Sequence, residues 1–534
     1  MDLNLPLLLL AGASAAILAA RSLLARPRAF DWLGVALAIL GAAGLVSLFA
    51  FELAGLVGAG VWAVLVLGPL LVSRAQARAV LAQRYDFALF CARLLVVLHP
   101  TRAYRSAVPR MEALAAVARG DRASAERALD RYASFGPGHA AEARLERVRL
   151  GTDADEISTA VLALEDARAV AGPSLGFGVI RALAEIGERD VALARYRKNA
   201  AIFEGDAVEP LRTAAALVLS AAAGRVGDVD AILAGRLRDA SAELKSLWRA
   251  AARHAAGDVG GTAELERLAG SRDGVVRRAA RVRLGAAPAD DHRSRRSPPV
   301  GEIDTALLDG VAARIADEDR FRFGSAAPQR PWATHVIAAV VGLVFVASEV
   351  LYVVERAAHG RSRQEVLYAL GALWTPAVLD GGEWWRAVAP LFLHYGAAHA
   401  IFNVMGLYVL GPFVERALRW ERYFVVYFVS GLVGTLLFIA REHFAPGPSS
   451  ILVGASGSIM GLLGASVAIL ARGAWRERIP AARRRLALIG GIVVLQLVFD
   501  QLIEQISSFV HTVGAVTGLL VGALLTAGRR RRDG

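Results

Sequence analysis

The chain has 534 residues, 55% of them hydrophobic, with a mean hydropathy of +0.44 and a formal net charge of +12. A single cysteine, Cys91, excludes an internal disulfide, and no compact run of basic and aromatic residues points to nucleic acid as the reason for the charge. The positive charge is almost all arginine, since Lys198 and Lys245 are the only lysines. Apolar blocks of about 20 residues, the length a helix needs to cross a bilayer, gather at the two ends of the chain. The middle, from about Arg74 to Arg330, is charged and broken into short periodic segments.

Three N-terminal spans are expected, at about 3–20, 32–51 and 54–72. The first contains Ala-Ser-Ala at 13–15, but Asp2 is the only charge before it, so an uncleaved span fits better than a signal peptide. Arg21, Arg26 and Arg28 follow the first span and Arg74, Arg78 and Arg84 the third, while the turn at Phe51, Glu52 and Leu53 has no cation. The positive-inside rule then puts the N-terminus outside and the middle domain in the cytoplasm.

The middle segment reads as antiparallel helix pairs. Glycine turns recur at Gly120, Gly151, Gly187, Gly224 and Gly257, separated by 31, 36, 37 and 33 residues. Helical stripes follow several of them, as in Ala123, Ala125, Ala128, Leu129 and Tyr132. The period resembles that of tetratricopeptide repeats, although most aromatic signature positions are missing, and an irregular alanine-rich bundle is the alternative. Such units present a surface for a protein partner. Residues 285–299 have the composition of a solvated linker, and 303–321 can form an amphipathic helix near the membrane.

Six further spans are expected, at about 333–354, 387–410, 424–440, 451–471, 486–503 and 508–527. Arg416, Arg419 and Arg422 follow the second, Arg472, Arg476, Arg478 and Arg483 to Arg485 the fourth, and Arg529 to Arg532 close the chain. These loops fall on the cytoplasmic side. Arg356, Arg361, Arg363 and Arg386 in the first outer loop are the imperfection.

Polar residues within spans are costly and mark function. Five stand out: His394, His399 and Asn403 on one span, Ser456 at the start of another and His511 at the start of the last. A serine hydroxyl becomes a useful nucleophile only when a positioned base takes its proton, and His511 is the one histidine on the last span. No third carboxylate is evident, because Asp500 and Glu504 read as interfacial loop residues. Gly457, Gly461 and Gly464 share one helix face, as do Gly514, Gly518 and Gly522, and small residues at this spacing let helices pack closely in lipid.

The local sequences resemble one family. GASG at 454–457, with Gly454 and Gly457 about Ser456, is similar to the G-x-S-G motif of rhomboid proteases. HYGAAHAIFN at 394–403 resembles their H-x4-H-x3-N pattern, and HTVGAVTG at 511–518 their H-x2-G-x3-G, with Gly514 and Gly518. Trp385 and Arg386 look like the Trp-Arg of the first loop, and Gly411 and Glu415 like the helix end that follows. The resemblance covers about the last 200 residues, 330–530. It implies a Ser456–His511 dyad, side-chain oxyanion donors at His399 and Asn403 beside the Ser456 backbone N–H, and a supporting His394. It implies no cofactor.

The chain is thus expected to be all-α: three N-terminal transmembrane helices (1–73), a cytoplasmic tetratricopeptide-like domain (74–285), a linker (286–330), a six-helix rhomboid bundle (331–528) and a basic tail (529–534). The expected activity is hydrolysis of peptide bonds in or near transmembrane segments of membrane proteins, in a bacterial inner membrane. The rivals are a non-catalytic rhomboid-like protein that binds membrane clients and a cytoplasmic adaptor. Neither H-E-x-x-H nor G-x-G-D occurs, and His394, His399 and His511 lack acidic or cysteine partners that would complete a metal site.

Overall fold

A computed structural model describes residues 4–24, 30–166, 172–204, 208–285, 301–321, 331–445, 451–502 and 508–527. It divides into two compact units, in essence residues 7–315 and 316–534. Parts of the linker and the whole basic tail lie outside the described residues, as do Arg26, Arg28 and Glu504.

The first unit begins with α1 (Asn4–Leu24), α2 (Phe30–Phe49) and α3 (Phe51–Trp62). A π turn at Ala63–Leu67 joins α3 to α4 (Gly68–Leu81), so that Phe51–Leu81 is one helix of 31 residues. Small residues let these helices meet: Ala11, Ala15, Ala36 and Ala54 are buried, and Trp62 Nε1 donates to Ser14 Oγ at 2.8 Å. The helix runs about nine residues past the expected end of the third span, so the boundary placed at residue 74 falls inside it.

The helical remainder follows as α5 (Tyr85–Leu98), α6 (Arg102–Arg119), α7 (Arg122–Ala133), α8 (Pro137–Val148), α9 (Ala154–Asp166) and α10 (Pro173–Glu185). After these come α11 (Arg189–Lys198), α12 (Glu209–Ala222), α13 (Val226–Ala234), α14 (Ala242–Ala255), α15 (Val259–Leu268), α16 (Gly274–Gly285) and α17 (Glu302–Arg320). Two Gly-Asp pairs show how the turns work. Gly120 (φ +78°) and Gly257 (φ +81°) take a left-handed conformation that a side chain would resist. The following Asp121 and Asp258 then cap the next helix, accepting from the Ser124 N–H at 2.9 Å and the Gly260 N–H at 2.8 Å.

Charge is buried between these helices. The fully buried Glu185 carboxylate accepts from Arg149 Nη2 and from Arg181 Nε, each at 2.9 Å, with Arg278 beside it. Burial alone would raise this carboxyl, but the guanidinium groups of Arg149, Arg181 and Arg278 hold it well below the ordinary value. A helix, α17, forms where the amphipathic one was expected. Its Leu308, Val311 and Ile315 pack into the core of the helical unit.

The second unit comprises α18 (Trp332–His359), the short α19 (Arg363–Ala369) and α20 (Thr375–Leu379), then α21 (Ala397–Leu418), α22 (Trp420–Phe444), α23 (Ser456–Trp475), α24 (Pro480–Leu502) and α25 (Ser508–Ala527). Among the described residues of the chain, seven helices are long and apolar enough to cross a membrane. The other two expected spans fall on α1 and α24, helices of 21 and 23 residues. Of the apolar stretch of α23, 83% is buried against 22% for α18, so α23 is the central helix and its neighbours ring it.

Two span boundaries need correction. The span expected from residue 387 becomes a helix only at Ala397. Before it the chain makes 3-10 turns at Trp384–Ala387 and Ala389–Leu391, the second opened by Pro390. His394 therefore precedes the helix that carries His399 and Asn403, instead of sharing it. The span expected from residue 451 starts at Ser456, because Leu452 pairs with Leu373 in an isolated antiparallel bridge.

Candidate active site

Ser456 is the first residue of α23, held there by a loop with its own anchors. Leu452 and Leu373 exchange backbone hydrogen bonds of 2.9 and 3.0 Å, and the Gly454 N–H donates to the Pro390 carbonyl at 2.9 Å. Gly454 sits at φ +128° with the His399 ring directly over it. A methyl group there would lie 2.8 Å from His399 Nε2 and 3.6 Å from Ser456 Oγ. The serine and the histidine of α21 thus flank one glycine, and no side chain larger than hydrogen fits between them.

His511 lies in the first turn of α25, buried, while Ser456 is half-buried. What aligns the two turns is a glycine seam. Three close approaches pair Gly457 with Gly514, Gly461 with Gly518, and Ala465 with Gly522, each 57 positions apart, and Gly464 packs between Ala515 and Leu519 beside them. A constant offset means that the two helices run in the same direction without slipping. Ser456 and His511, 55 positions apart, thereby fall within one turn of the same register. Val510, next to His511, closes the upper end: its Cγ1 lies 2.9 Å from where a Gly457 methyl would be and 3.2 Å from a Gly434 methyl.

Asn403 sits one turn below His399 on α21, and its Nδ2 donates to the His399 carbonyl at 3.0 Å. His394 is fully buried in the preceding loop. Its Nδ1 donates to the Phe392 carbonyl at 3.1 Å, and its ring meets that of His399 edge-on, with centroids 5.0 Å apart. His394 meets His399, and His399 and Ser456 both lie against Gly454, while Gly457, Gly514 and Gly518 are close contacts between α23 and α25. Among the described residues no group of three or more His, Cys, Asp or Glu is placed to hold a metal ion. Asp500 lies on α24 rather than in a loop.

The loop before α21 is tied down by Arg386, which is buried. Its Nε donates to Glu383 at 2.6 Å and its Nη1 to the carbonyls of Tyr368 and Ala372 at 2.7 and 3.0 Å, with the guanidinium 4.2 Å above the Tyr368 ring. At the other end of α21, Glu415 accepts from the Ala333 N–H (3.0 Å), the Thr334 N–H (2.9 Å) and the Thr334 hydroxyl (2.8 Å). These are the free first-turn donors of α18, so the carboxylate caps a second helix and fixes it to α21. Gly411 allows the approach, since a methyl there would lie 2.6 Å from Thr334. Sequence reading missed Thr334, Pro390, Gly434 and Val510. Gly431 and Gly434 on α22 were the available signal, a small-residue pair on a membrane helix.

Residues 381–528 match the family model described as the Rhomboid domain. The chain is 34% identical over 166 residues to the rhomboid protease GluP of Bacillus subtilis, covering 31% of each protein. It is 30% identical over 145 residues to the rhomboid-type protein YdcA of the same organism, covering 27% of this chain and 67% of that one. To the rhomboid protease AarA of Providencia stuartii it is 31% identical over 180 residues, covering 31% of this chain and 62% of the other. The chain thus spans about a third of the first relative and about two thirds of the second. No solved structure matches it significantly.

Proposed function

The chain belongs to the rhomboid family through its C-terminal domain, and on that premise we propose that it is an intramembrane serine protease acting through Ser456 and His511. The observation that carries the reading is the glycine seam, whose fixed register brings the first turns of α23 and α25 to one level. Ser456 Oγ attacks the scissile carbonyl while His511 takes its proton, and the imidazolium then returns the proton to the leaving amine. The oxyanion accepts from the Ser456 N–H, from His399 and from the second Nδ2 proton of Asn403. Each such donor is worth about 2.7–4 kcal/mol in the transition state. The overlap of the His399 ring with Gly454, one residue from the nucleophile's neighbour, supports that role. His394 holds the His399 ring from behind.

Water must reach these groups, so the site is a hydrated cavity at one membrane face. A substrate must leave its helix locally to offer a carbonyl. The favoured substrates are transmembrane segments with Gly, Ala or Ser at the cut. The arginine-rich loops support a cytoplasmic middle domain and C-terminus, an external N-terminus, and a bacterial inner membrane as the location.

A fluorophosphonate probe tests the nucleophile directly. Wild-type protein in detergent or liposomes should label once and thereby lose cleavage of a model transmembrane substrate; Ser456→Ala should neither label nor cleave. His511→Ala should slow labelling by about 10²–10⁴-fold, the contribution of a general base. Undiminished cleavage by Ser456→Ala would end the proposal. A substrate with a Leu-rich, strongly helical segment should be cut more slowly than a Gly/Ala-rich one.

A further inference from the structure

The hairpin of α4 and α5 plays no part in this chemistry, yet it carries an unusual surface. The helix Phe51–Leu81 has 31 residues, and about 20 suffice to cross a hydrocarbon core. A crossing that starts at Phe51 leaves the core near Leu71, and the first cation, Arg74, comes just beyond. The chain then turns back. Gln83 takes φ +57°, the Arg84 N–H donates to the Ala79 carbonyl at 2.8 Å, and the turn is pinned by Gln83 Nε2 to Asp273 (2.7 Å) and by the Ser241 N–H to the Leu81 carbonyl (2.9 Å). At the far end of α5, Leu98 reaches the level of Gly68, 3.7 Å from where a methyl on that glycine would sit. Antiparallel counting from that contact puts Val97 level with Pro69, Leu94 with Val72, Phe90 with Gln76 and Phe87 with Ala79.

Ala88, Cys91, Ala92 and Leu95 form the buried face of α5. A second apolar face is exposed: Phe87, Phe90 (58% exposed), the half-buried Leu94 and Val97 (77% exposed), at spacings of three, four and three that put them on one side of a helix. At the upper level of this face, Leu70 and Leu71 on α4 are exposed as well, so it continues the apolar surface of the span. Just past α5, His99 packs edge-on against Trp32 at the start of α2, with centroids 4.4 Å apart, and tryptophan at a span end marks the membrane–water boundary.

We infer that α5 is an interfacial helix, its Phe87, Phe90, Leu94 and Val97 face covered by lipid of the bilayer that Phe51–Leu81 crosses. Val97 and Leu94 lie at the acyl-chain boundary, Phe90 among the headgroups and Phe87 at their outer edge. Continuity with the span surface selects lipid over a protein partner. The assignment moves α5 out of the soluble part, where the sequence had put it, and gives the helical unit a second attachment to the membrane.

Variants of the full chain that each add one cysteine to the buried Cys91, in phosphatidylcholine liposomes, test this: Phe87→Cys, Phe90→Cys, Leu94→Cys and Val97→Cys. Val259→Cys, 81% exposed on α15, is the aqueous control, and the unaltered chain, whose Cys91 is buried, is the blank. A charged, impermeant maleimide should label position 97 at least about tenfold more slowly than position 259, with protection falling in the order 97, 94, 90, 87. Bimane attached at 97 should be quenched by lipids carrying a shallow doxyl group, and bimane at 259 should not. Equal labelling at 97 and 259 overturns the inference. Protection at 97 without quenching also overturns it, because protein rather than lipid would then cover the face.

Discussion

Gly514→Ala is the most direct probe of the glycine seam. The added methyl would lie 2.9 Å from the Gly457 carbonyl carbon and nearer still to its oxygen, where ordinary contact begins at 3.4 Å. Both obstacles are backbone, so α25 must move away from α23 by at least about 0.5 Å, and by roughly 1 Å to clear the oxygen. Overpacking of this kind costs about 1–3 kcal/mol of stability, which a folded membrane protein can survive. A displacement near 1 Å between nucleophile and base costs about 10²-fold in rate. The variant should therefore keep most of its thermal stability while fluorophosphonate labelling and substrate cleavage fall together by about 100-fold. Gly342→Ala on α18, where a methyl meets nothing within 4 Å, should leave both unchanged. Cleavage by Gly514→Ala within twofold of wild type, with the protein folded, would refute the claim that this seam sets the dyad's geometry.

Glu415→Ala orphans three buried donors of α18, at about 1–3 kcal/mol each, and should lower the melting point of the membrane domain well below that of Glu415→Gln, which keeps an acceptor oxygen. Asn403→Ala should reduce kcat and the rate of fluorophosphonate labelling by about 10²-fold with little loss of thermal stability, since both reactions put charge on an oxygen at the oxyanion site. In the helical unit, Glu185→Gln leaves buried guanidinium groups uncompensated and should cost about 3–5 kcal/mol at pH 7 in chemical unfolding. The folded carboxyl titrates below its unfolded value of about 4.3, so its stabilisation is complete above that pH. It is lost as the pH falls through the depressed folded value, and Glu185→Gln should abolish that part of the acid dependence.

Much of this protein is readable from local pattern. Hydropathy over about 20 residues finds spans because the bilayer imposes that length on any crossing helix. Ser456, His399, Asn403 and His511 stand out because polar groups in spans are costly, and the two glycine rows because close helix packing needs them. Those signals sit within a single helix, where the 3.6-residue period is enough to recover which residues share a face. Pairing between helices is another matter. That Gly514 packs most tightly on Gly457, that Glu415 caps the start of α18 some 80 positions earlier, and that His394 precedes its helix all depend on backbone contacts between distant segments. Hydropathy is blind to such register, since sliding one apolar helix along another changes little of what lipid sees. The same blindness hid the exposed face of α5. The sequence places its residues in the charged middle segment, and only the turn at Gln83 lays them beside the end of a membrane span.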